Sequence, residues 1–213
     1  MKSEVVGTFV DAVYAIAITI LALEIPGELG GEFSVADFVA VTLEYCLAFI
    51  LLFSFWLQHR RISGASETVP RSGLWLNAIV LLCVCLIPRA TTLVFVHGGN
   101  VTLAQLEGTF FSGVQMTTAE LVDLFYVGIV VTADLSLLAL AAHVVRKPKP
   151  ADPHPLWRSK LTTTVLVVLA ATASLVLPVN NRFFLLLLPL ALFFELQIDR
   201  FVTRMRTGSA AVG

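Results

Sequence analysis

Charge is what this 213-residue chain has least of: Asp, Glu, Lys and Arg together make up 14% of it. Soluble domains carry about 25% charged residues, so there is too little polar side chain here to clothe a water-facing surface. Cysteine is as sparse. Cys46, Cys83 and Cys85 are odd in number, lie inside apolar runs and lack ligand spacing, which argues against a disulfide framework and a thiolate metal site. They suit small helix-packing positions. Enzyme signatures are missing as well. No H-E-x-x-H, G-x-S-x-G or phosphate-binding loop occurs, and the four histidines have no metal-ligand spacing. The residues therefore point to no catalysis, no bound metal and no cofactor. A net charge of −1 gives a nucleic-acid role no support.

What the chain does have is apolar length. Hydrophobic residues make up 57% of it, and the mean hydropathy is +0.88. This is the composition of an all-α integral membrane protein lying in a lipid bilayer. Six membrane-spanning helices are predicted, over about 5–25, 35–58, 74–96, 117–145, 159–177 and 182–199. They form one transmembrane domain over 1–206, followed by a short flexible tail at 207–213. Pro88 is expected to kink the third helix. The first apolar run ends in Glu24-Ile25-Pro26 in place of the small residues of a cleavage site, so the first helix is expected to stay in the mature protein.

The bases set the orientation. With six spans, Lys2, Arg60, Arg61, Arg71, Arg146, Lys147, Lys149, Arg158, Lys160, Arg200, Arg204 and Arg206 all fall on one side. Arg182 falls opposite, and Arg89 lies within the third helix. By the positive-inside rule both termini are cytoplasmic.

The first helix carries a regular stripe. At about 100° per residue, Phe9, Ala12, Ile16, Thr19, Ile20 and Leu23 share one face, and Asp11 points about 130° away from its centre. Periodicity alone reads that stripe as ordinary packing. An acid within a membrane helix is costly unless paired, and it is a functional candidate by default.

These residues also carry a resemblance. Phe9-Val10-Asp11, followed by AIAIT at 15–19 and ILALEI at 20–25, resembles the opening of bacterial members of the transmembrane protein 175 family of potassium channels. The resemblance implies a homotetramer in a bacterial inner (plasma) membrane with the first helix lining the pore. It places Ile16 at the narrowest, water-poor constriction, with Ile20 and Leu23 as further constricting positions and Thr19 as the pore-side hydroxyl. The permeating ions it implies are monovalent cations, with potassium preferred. The chain departs from the family pattern at Val5, where an Arg is usual, at Val10, at His59-Arg60 and at Pro88-Arg89-Ala90-Thr91.

Asp11 faces the packing side of its helix, so a structural polar network with His59 and Asn77 is expected. Glu44, Arg89 and Asp123 each lie about seven or eight residues from the outer surface, roughly 10–12 Å deep. A lone charge there is expensive, which makes Arg89 paired with Glu44 or Asp123 a candidate buried ion pair. Asp123 and Asp134 share a face of the fourth helix, and Glu195 lies in the sixth. Together with Glu44, these acids keep open an alternative reading as a proton-coupled secondary transporter.

Overall fold

The computed structural model describes residues 3–23, 35–97, 118–145 and 154–176. They form five helices: α1 (Ser3–Leu23), α2 (Val35–Gly64), α3 (Arg71–His97), α4 (Thr118–Val145) and α5 (His154–Val176). The sixth helix expected at 182–199, Glu195, the tail at 207–213 and the outer loops lie outside the described residues. Four helices are long and apolar enough to cross a membrane, over Ser3–Leu23, Val41–Gly64, Arg71–Val94 and Leu121–His143. In α5 the apolar part is shorter, Lys160–Thr172.

Two helix bounds differ from expectation by five residues or more, and each has a physical cause. The apolar pattern of α2 stops at Gln58, but the helix runs on through Gly64 because His59, Ile62 and Ser63 turn inward while Arg60 turns out. A charged run therefore continues the helix. At the other bound, α5 begins at His154, five residues before the expected start. Pro155 occupies its first turn, where a missing N–H costs nothing. That shift places Lys160 well inside the helix.

α3 and α4 form the middle of the subunit and share its most extensive packing. α5 packs on α4, while α1 packs on α2 and α3. Val80, Val84, Ile87, Val130, Ala133 and Leu137 supply the centre of that core. α3 passes through Pro88 without ending. One turn on, Thr91 Oγ1 donates to the Ile87 carbonyl and Thr92 Oγ1 to the Pro88 carbonyl, so both hydroxyls are satisfied within the helix.

We call the end where α1, α3 and α5 begin and α2 and α4 end the proximal end. It is closed by reciprocal capping. The Ser3 N–H donates to the Glu67 carbonyl at 3.0 Å, and Ser3 Oγ donates to the Ser63 carbonyl at 2.6 Å. One orphan donor of α1 and one orphan acceptor of α2 are thereby satisfied together. Gly73 permits the tight entry into α3, since a Cβ there would lie 2.9 Å from Val69 Cγ1. Ser72 and the His143 ring, 2.9 Å apart, tie α3 to α4 at the same end.

Candidate functional site

α1 separates its residues cleanly into two faces. Val6, Gly7, Val10, Tyr14, Ala17 and Leu21 are buried against the bundle. Phe9, Ala12, Ile16, Thr19, Ile20 and Leu23 are all exposed. Ile16 is 57% and Leu23 78% exposed, whereas Tyr14 is 1%. The subunit thus leaves an apolar stripe open along the whole helix and builds its core from the opposite face. Thr19 Oγ1 donates to the Ala15 carbonyl at 2.9 Å. With its proton used in the helix, the hydroxyl presents lone pairs outward beside Ile16 and Ile20.

Asp11 is held by α2. The Trp56 indole N–H donates to Asp11 Oδ1 at 2.8 Å, and Arg60 Nη1 lies 3.3 Å from Asp11 Oδ2. Trp56 and Arg60 are one turn apart and so reach the same side chain. Gly7 leaves room for this guanidinium, since a Cβ there would stand 3.1 Å from Arg60 Nη1. The ion pair is wet: the Arg60 side chain is 50% and Asp11 37% exposed. An open cavity of about 510 Å³ lies beside it, lined by Ser3, Glu4, Gly7, Arg60, Ser63 and Glu67 among others. Trp56 itself ends a ladder of rings on α2, Tyr45, Phe49, Phe53 and Trp56, with successive centroids 6.3, 6.0 and 5.4 Å apart.

His59 and Asn77 form a second, drier contact. His59 Nε2 lies 2.5 Å from Asn77 Oδ1, and Asn77 Nδ2 donates to the Gly73 carbonyl at 2.6 Å. The Gly73 bond turns the amide so that its oxygen faces His59, which makes Nε2 the donor. The imidazole also meets Tyr14 edge-on at 6.0 Å. The network expected around Asp11 is therefore two neighbouring contacts. Trp56 and Arg60 bind the acid, while His59 and Asn77 bind each other.

In the other half of the bundle, Arg89 lies on the exposed side of α3, while Glu44 and Asp123 are half-buried. The α3 turn that buries Pro88 and Ala90 turns Arg89 out.

A buried ion pair does exist, elsewhere. Lys160 Nζ donates to Asp134 Oδ1 and, at 2.5 Å, to Gln58 Oε1. The Lys160 and Asp134 side chains are only 3% and 1% exposed. Position along the sequence hides this, because Lys160 sits among bases that belong to a surface loop. The available signal was that Lys160 heads an apolar run and faces an acid already placed inside α4.

Comparison with known proteins bears on the α1–α3 unit first. Residues 6–88 match the family described as endosomal/lysosomal potassium channel TMEM175. That match spans the open stripe of α1, the Asp11 clamp and the His59–Asn77 contact. The fold is similar over nearly the whole chain to the crystal structure of a lysosomal potassium-selective channel TMEM175 homolog from Chamaesiphon minutus. The TM-score is 0.67 at 19% identity, covering 92% of this chain and 97% of that one. No curated protein matches. In this membrane-protein fold α1 lies at the edge of the described helices, with its stripe unpacked by them.

Proposed function

We propose that this protein is a cation channel favouring potassium, formed by a homotetramer with α1 of each subunit at the central axis. The observation that carries the reading is the exposed Phe9–Ile16–Ile20–Leu23 stripe, on a helix whose opposite face is core. An apolar face of that length needs cover, and four copies facing one axis supply it. The family match over residues 6–88 supports the same assignment, as does the likeness in fold to a potassium-selective channel. Ile16 then forms the narrow ring, with Ile20 and Leu23 as further rings, and conduction requires transient wetting of that apolar constriction. The outward lone pairs of Thr19 offer oxygen to a partly dehydrated cation. In this reading the chain spans a bacterial inner membrane six times with both termini cytoplasmic, so the proximal end faces the cytoplasm. The Arg89, Glu44 and Asp123 charges lie toward the outer half, where pairing of Arg89 with either acid would link α3 to α2 or α4. A proton-coupled transporter is less well supported, because Asp134 is already engaged by Lys160.

The test is ion flux and single-channel recording on purified protein in bilayers. Ile16→Ala should raise conductance by widening the ring. Ile16→Asn should raise it further, with weaker preference for potassium, by giving water and ion hydrogen-bond partners. Leu166→Asn on α5 is the control, since Leu166 is as exposed as Ile16, at 57%. If assembled Ile16→Asn protein conducts like wild type, α1 does not line the narrow point.

A further inference from the structure

Gln58, His59 and Arg60 follow one another on α2 and leave the helix about 100° apart. Each reaches a different neighbour. Gln58 accepts from Lys160 of α5, His59 meets Asn77 of α3, and Arg60 meets Asp11 of α1. α2 packs chiefly on α1, more lightly on α4 and α3, and has no extensive packing with α5. The Gln58 side of α2 also buries Leu51, Phe55 and Ile62, and non-directional apolar packing leaves the exact seating of that side to be set by polar contacts. Lys160 is suited to the task because Asp134 stands on α4, which shares with α3 the most extensive packing among the described helices. The ammonium thus bridges the most firmly built part of the fold to the proximal end of α2.

We infer that Lys160 and Asp134 are a positioning pair: through Gln58 they set the proximal end of α2, and so the seat from which Trp56 and Arg60 hold Asp11 of the pore helix. A buried ion pair adds little net stability over apolar replacements but is directional. Direction is what apolar packing lacks. The seating of α2 follows from the contacts alone; its effect on conduction rests on the channel reading.

The experiment uses the full chain with Trp75→Phe and Trp157→Phe, which leaves Trp56 as its single tryptophan. Emission and acrylamide quenching then report the Trp56 seat, and potassium flux is measured on the same preparations in vesicles. Lys160→Arg keeps a charged donor and should leave emission unchanged. Lys160→Met with Asp134→Leu strands no charge, so the protein should fold, with Trp56 emission shifted to the red, stronger quenching and altered flux. Unchanged emission and quenching in that folded double variant would overturn the positioning role. Failure of the double variant to fold would overturn it too, making the pair a folding requirement instead. A shift at Trp56 in protein whose wild type carries no flux supports the pair and sinks the channel reading. Conducting wild type without any Trp56 shift in the double variant sinks the pair alone.

Discussion

Trp56 should matter more to the seating of α1 than Arg60 does, although Arg60 carries the charge. The pairing of Arg60 with Asp11 is 3.3 Å long, half-exposed and beside an open cavity. Such pairs contribute about 0–1 kcal/mol. The Trp56 N–H bond to Asp11 is 2.8 Å and partly buried, and a hydrogen bond to an ionised group contributes about 1.5–3 kcal/mol. Trp56→Phe keeps a ring against Phe53 and deletes the donor, so it isolates that bond. For a chain of this size each kcal/mol moves the midpoint by about 2–4 °C, which gives a fall of roughly 3–12 °C for Trp56→Phe and under about 4 °C for Arg60→Gln. Thermal unfolding of detergent-purified protein measures both. The loss of ring area is subtracted by repeating Trp56→Phe in an Asp11→Asn background, where the bond is no longer charge-assisted and the cost should shrink by about 1 kcal/mol. A larger fall for Arg60→Gln than for Trp56→Phe, or an equal cost of Trp56→Phe in both backgrounds, would refute the assignment.

Lys160→Met alone strands the buried Asp134 carboxylate and should cost about 3–5 kcal/mol, whereas adding Asp134→Leu should recover most of it; a double-mutant cycle by thermal or denaturant unfolding checks this. Tyr14 Oη is buried and has no hydrogen-bond partner among the described residues, so Tyr14→Phe should leave the midpoint unchanged or raise it. Tyr14→Ala empties the site under His59 and should cost about 3–5 kcal/mol, in line with other large-to-small aromatic truncations. Asn77→Ala should cost about 1–3 kcal/mol by leaving the His59 donor buried without its acceptor, a loss that unfolding of the purified variant records.

Particular residues explain what could be read from the sequence. The face of α1 was legible because helical geometry depends only on spacing, and six residues at the right intervals landed on the exposed side together. That Asp11 points away from them was legible for the same reason. Its partners were not, because a partner is set by where a second helix crosses. At the crossing of α1 and α2 Gly7 leaves room for the Arg60 guanidinium, which no pattern within either helix reveals. Arg89 and Lys160 show why depth along the chain is not a measure of burial. Depth says how far a residue lies from the end of a helix; burial depends also on its angle around the axis. Arg89 is deep along α3 but turned out, while Lys160 lies only six residues from the start of α5 and is turned in. A lysine side chain long enough to reach a second helix extends that reach further. For a membrane helix, the two coordinates need to be read together before a charge is assigned to a loop or to the interior. Here the pairing of Lys160 with Asp134 gives the proximal half of α2, α4 and α5 a buried polar centre that depth along the chain alone does not reveal.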